Sequence, residues 1–139
     1  MLIKAAVDLM LAPFLRKFSS LKFVLSESAI GWLPFALEYA DYAWNRHRFY
    51  ANTHNLDNRL PSDIFRSNIW ACVIDESVGI EMRHKIGVDK IMWECDYPHS
   101  DNSFPKSRKV VGESMHGLPQ DEVDAITHKN AERVFNLQS

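Results

Sequence analysis

Three short apolar runs, each ending in an acid, constrain the fold more than any other feature of this sequence. Leu21-Lys22-Phe23-Val24-Leu25 runs into Ser26-Glu27-Ser28, residues 68–74 run into Asp75-Glu76, and residues 90–95 run into Asp96. Between them lie segments with apolar residues at helical spacing. Strands that are nearly continuous in apolar side chains and alternate with helices imply a parallel sheet covered on both faces. In such a sheet the C-terminal tips share one edge, where α/β ligand sites form. Glu27, Asp75 and Asp96 are therefore expected together. One such acid would mean little; three on one edge point to a site.

The third run carries the densest chemistry. Ile91-Met92-Trp93 suits a buried strand, while Asp96 and His99 need water, a hydrogen-bond partner or a metal. Carboxylates at the mouth of a parallel sheet can hold a divalent cation or move protons. A histidine three residues on can share that proton work or bind substrate. Buried strands also end at Asp through turn chemistry alone, and the run by itself leaves both readings open.

The intervening segments read as helices. Apolar positions at 3, 6, 7, 10, 11, 14, 15 and 18 predict a helix over 3–18, kinked or broken at Pro13. A second helix starts near Gly31 and Pro34 and runs to about residue 49. Its aromatics, Trp32, Phe35, Tyr39, Tyr42 and Trp44, are expected to be core, because aromatics carry large burial energies. Residues 50–60 form the longest loop, with His54 as a solvated residue. Pro61-Ser62-Asp63 opens a short helix. A helix over 76–86 is capped by Gly87, one over 105–116 starts at Pro105, and a helical segment from Gln120 closes the chain.

Composition excludes several classes. The 139 residues are the size of one domain, and 46% apolar with 24% charged residues describes a globular chain. A net charge of −2 gives no electrostatic case for nucleic acid or an anionic membrane. The N-terminal apolar run is interrupted by Asp8 and Pro13, which predicts neither a membrane span nor a signal peptide. Cys72 and Cys95 lie inside apolar runs and suit reduced thiols in a cytoplasmic protein. No H-x-H, G-x-G-x-x-G, P-loop or G-x-S-x-G occurs, so nucleotide binding and serine hydrolysis lack support.

The motifs resemble those of the metal-dependent amidohydrolase family 2, the amidohydrolase-related group of aminocarboxymuconate-semialdehyde decarboxylase type. Leu21 to Ser28 with Gly31-Trp32-Leu33-Pro34 resembles the family's sixth barrel strand and turn, and Ile69 to Asp75 its seventh. Met92 to Ser100, with Pro105-Lys106-Ser107-Arg108, resembles its eighth strand and loop. Ile126-Thr127-His128-Lys129-Asn130-Ala131 resembles its closing helix.

The resemblance implies an α/β fold, a partial (β/α)8 TIM barrel made of the last three β/α units, with residues 1–139 as the C-terminal portion of the barrel domain. A full barrel takes about 250 residues. The family's H-x-H strand and fifth-strand histidine would precede Met1. The resemblance further implies a metal-dependent hydrolase in which Asp96 is a metal ligand and the base toward a metal-bound water. Glu27 or Ser28 stands at the place where many family members have a histidine at the sixth strand tip, and Glu27 is the second catalytic candidate. His99 and Trp32 are the substrate-binding candidates. The complete enzyme would hold zinc or manganese and take a small-molecule substrate; without the H-x-H ligands this chain is expected to hold no stoichiometric metal alone. Two alternatives stand beside this: a decarboxylase of the same family, and a catalytically incomplete module that pairs with itself or with a missing N-terminal half.

Overall fold

The computed structural model describes residues 2–50 and 56–137. The N-terminal helical run is two helices, α1 (Leu2–Leu11) and α2 (Pro13–Lys17). Pro13 lies in the first turn of α2, where its missing N–H breaks no helical hydrogen bond. Strand β1 (Phe23–Leu25) follows, then α3 (Leu33–His47), which carries Pro34 in its first turn and Arg46 and His47 in its last. Helix α4 (Pro61–Asn68) feeds directly into β2 (Ile69–Val73). His54 falls in residues 51–55, outside the described residues.

The helix expected over 76–86 is two short ones, α5 (Ser77–Glu81) and α6 (Arg83–Ile86), separated by Met82 at φ −92° and ψ 9°. Gly87 ends α6 at φ 107°, a backbone state open to glycine and costly for other residues. A 3-10 turn, Val88–Lys90, leads into β3 (Ile91–Trp93). Helix α7 (Ser107–Ser114) is shorter than expected. The closing run is α8 (Gln120–Asp124), a π-helical turn (Ala125–Lys129) and α9 (Asn130–Phe135).

The three strands form one parallel sheet in the order β1-β2-β3. Leu25 pairs with Ala71, Ala71 with Ile91, and Val73 with Trp93. Every residue of central β2 is buried, which is why this segment is apolar without alternation. Its side chains still divide by parity. Ile69, Ala71 and Val73 join the main core with Leu25, Ile91 and Phe65, whereas Trp70, Cys72 and Met92 pack with Val134 of α9.

Two buried asparagines set where strands begin. Asn68 Nδ2 donates to the carbonyls of Ser19 (2.9 Å) and Leu21 (2.7 Å), just before β1. Asn130 Nδ2 donates to the carbonyls of Val88 and Ile91, both at 2.8 Å, at the entry to β3. Buried carbonyls need such partners.

The aromatic stripe of α3 departs from expectation. Trp44 is buried, but Phe35, Tyr39 and Tyr42 are 72%, 56% and 52% exposed; at the surface Phe35 stacks on Tyr39 and Tyr42 tilts against Tyr39. Spacing identifies a shared helix face; it does not identify what covers that face.

Candidate metal centre

All three strand tips end on the same edge, and their loops enclose an acidic pocket of about 270 Å³. Among the described residues, six carboxylates line it, those of Glu27, Asp75, Glu76, Glu94, Asp96 and Asp101, together with His99 and with no lysine or arginine. The near-neutral net charge of the whole chain conceals this local concentration of negative charge, which favours a cation.

Asp96 sits just past β3 at φ 59°, in the left-handed region that Asp tolerates better than most residues. His99 N–H donates to the Asp96 carbonyl at 2.9 Å, and Ser103 N–H donates to the Cys95 carbonyl at 3.2 Å. These bonds close the loop and fold His99 back over Asp96. His99 Nδ1 lies 2.8 Å from Asp96 Oδ2. That contact is not aligned as a hydrogen bond, and the Oδ2 atom is buried with no hydrogen-bond partner. Glu27, at φ 53° beyond β1, completes the group. One ligand atom each from Glu27, Asp96 and His99 falls within 4.8 Å of the others.

Two carboxylates and an imidazole at that separation, one carrying a buried oxygen that faces the imidazole, suit a divalent ion such as manganese or zinc. Asp96 Oδ2, a Glu27 carboxylate oxygen and His99 Nδ1 or Nε2 are the atoms that would hold it.

The expected tip acids divide by role. Asp75 lines the pocket but lies outside the three-residue group. Its neighbour Glu76 faces the β1 loop, where its two oxygens accept the N–H groups of Ile30 (2.7 Å) and Gly31 (2.8 Å). A Cβ on Gly31 would stand 2.4 Å from Glu76 Oε1, so glycine is what permits this approach. Glu94 accepts from Ser26 Oγ (2.6 Å) and Glu27 N–H (2.5 Å). The sequence showed Glu76 and Glu94 only as second acids beside Asp75 and Asp96. Trp32 is placed elsewhere: its indole N–H donates to the carbonyls of Ser28 and Ala29, and its ring lines an apolar groove between α1 and α3 rather than the acidic pocket.

The family model for amidohydrolases matches residues 1–137. The chain belongs to the amidohydrolase family. Solved structures agree on the fold. A 5-carboxyvanillate decarboxylase from Sphingomonas paucimobilis superposes with a TM-score of 0.80 at 22% identity, covering 97% of this chain and 39% of that one. An amidohydrolase from Mycobacterium avium subsp. paratuberculosis K-10 gives 0.77 at 20% identity, covering 95% and 32%. A dihydroxybenzoic acid decarboxylase from Polaromonas sp. JS666, with bound manganese and the inhibitor 2-nitroresorcinol, gives 0.72 at 20% identity, covering 97% and 40%. No curated protein sequence matches. This amidohydrolase chain thus spans about two fifths or less of the length of these structures, and its three parallel β/α units form part of a barrel. Among the described residues, no helix is long and apolar enough to cross a membrane.

Proposed function

We propose that this chain supplies the last three β/α units of a metal-dependent amidohydrolase barrel, with Asp96 as a metal ligand and Glu27 and His99 completing this chain's share of the site. The observation that carries the reading is the convergence of Glu27, Asp96 and His99 around a buried Asp96 oxygen that faces His99 at 2.8 Å. A divalent ion bound there supplies Lewis-acid polarisation of a substrate oxygen. The residues themselves have separable tasks. In this reading Asp96 is both ligand and base, and Glu27 is the second residue that carries a proton. In this reading His99, more exposed at 55% of its side chain, also meets an incoming substrate.

The reaction class proposed first is hydrolysis, as the family name implies. Decarboxylation of a small aromatic acid is the second reading. Two of the solved structures described above are decarboxylases of aromatic acids, and one of them holds manganese.

The test is Mn²⁺ titration of the purified chain. With three ligand atoms from one sheet edge, affinity is expected to be weak, with Kd on the order of 10⁻⁴ to 10⁻³ M. Asp96→Asn is expected to abolish it. Binding that survives Asp96→Asn unchanged would rule out this site, and tight one-to-one metal would show that no further ligands are needed.

A further inference from the structure

We infer that Glu94 is the positioning residue of this pocket: it fastens the tip of β1 to the tip of β3 and so holds Glu27 within reach of Asp96 and His99. The inference rests on the cation-site reading above. In the sheet, β1 and β3 are not neighbours, because β2 lies between them. Pairing through β2 sets where β1 and β3 end, but not how the loop residues Glu27 and Asp96 beyond those ends approach each other. Glu94 spans that gap. Its backbone is anchored on β2, with Glu94 N–H donating to the Val73 carbonyl at 3.0 Å. Its carboxylate then accepts two bonds from the β1 loop, from Ser26 Oγ at 2.6 Å and Glu27 N–H at 2.5 Å. Using both oxygens makes the clamp bidentate, and a charged acceptor makes each bond stronger than a neutral one. Glu27 sits at φ 53°, a left-handed state that a glutamate rarely adopts and that the surrounding structure must enforce. The bond to its own N–H acts on that residue directly. Glu76 fixes the far end of the same loop through Ile30 and Gly31 N–H, so the loop is held at two points and Glu27 is held by Glu94.

The experiment compares wild type, Glu94→Gln and Glu94→Ala with two readouts. Amide hydrogen exchange at Glu27 tests the clamp and needs no metal. Glutamine keeps an oxygen for the Glu27 N–H and an amide that can donate to Ser26 Oγ, so protection is expected to persist. Alanine removes both partners, and exchange at Glu27 is expected to rise about tenfold or more. The second readout is Mn²⁺ itself, followed by paramagnetic broadening of backbone resonances. Broadening is expected at Glu27, Asp96 and His99 in wild type. Glu94→Gln is expected to keep that map with affinity within about threefold, the effect of one screened charge. Glu94→Ala is expected to lose broadening at Glu27 and about tenfold in affinity, the usual scale for a residue that supports ligands without touching the ion.

Equal exchange at Glu27 in all three proteins would overturn the clamp. If Glu94→Gln binds Mn²⁺ as poorly as Glu94→Ala, Glu94 is a ligand and not a positioning residue. If wild type shows protected exchange but no broadening at Glu27, Asp96 and His99, the cation-site reading fails while the clamp stands, and its assigned service to that site is overturned.

Discussion

The two thiols report the electrostatics of the strand tips. Cys72 is buried on β2, and burial together with the nearby Glu94 carboxylate pushes its pKa up to about 12. Cys95, half-buried past β3, has its pKa lowered by a hydrogen bond with Ser107, aided by Ser103. The thiolate is the reactive form, so Cys95 is expected to alkylate at mildly alkaline pH while Cys72 is spared. Peptide mass spectrometry after iodoacetamide reads this directly. Equal labelling of both cysteines would show that neither burial nor the carboxylate protects Cys72.

Elements are fastened to one another by a few buried polar side chains. Asn130→Ala strips two carbonyls at the entry to β3 of their donor and is expected to cost about 1–3 kcal/mol, measured by urea unfolding. Phe65→Ala, at a fully buried position on α4, is expected to cost more, about 3–5 kcal/mol. The link between α2, α3 and the loop before α4 is electrostatic. Asp57 is bonded by Arg59 and by Arg16, whose guanidinium also lies 4.4 Å from the Trp44 ring centroid. Bonding to Arg59 is the largest of the effects that hold the Asp57 pKa at about 2, below the ordinary 3.8. A depressed folded-state pKa stabilises the fold above the unfolded-state value, and that stability is lost as pH falls through the folded one. The contribution is therefore present above about pH 4 and lost toward pH 2. Asp57 is 42% exposed, so screening limits it to about 1 kcal/mol or less. Asp57→Asn is expected to flatten the acid limb of thermal stability in that window. An unchanged limb would place the acid sensitivity on other carboxylates.

At the scale of the whole molecule, the described surface leaves apolar area uncovered. β1 and β3 each pair on one side only among the described residues, and unpaired strand edges invite further pairing. The groove between α1 and α3, about 480 Å³, is almost wholly apolar in its lining, which includes the exposed Phe35 and Tyr39, and Tyr42 stands exposed next to Tyr39. Self-association that increases with concentration is the expected result in sedimentation velocity. Phe35→Ser with Tyr39→Ser is expected to weaken it. A monomer at every concentration would show that these faces are tolerated by water as they stand.

Local physics made much of this legible in the sequence. Apolar runs read as parallel strands over 21–25, 68–74 and 90–95, and the structure forms strands within them at 23–25, 69–73 and 91–93, with β2 buried on both faces throughout. Pro13, Pro34 and Gly87 marked element boundaries through their own backbone chemistry. The parallel arrangement then placed Glu27 and Asp96 on one edge. Tertiary structure alone decided which acids were left free for chemistry. Glu76 and Glu94 spend their oxygens on backbone and side-chain donors of the β1 loop, whereas Asp96 turns a buried oxygen toward His99 in the pocket. That division depends on where a loop from one strand meets a carboxylate from another, across 46 residues for Glu76 and Ile30 and 67 for Glu94 and Glu27. Spacing along the chain carries no record of such meetings. The exposure of the α3 aromatics has the same origin: periodicity fixes which side chains share a face, and only the packing of other elements determines whether that face meets protein or water.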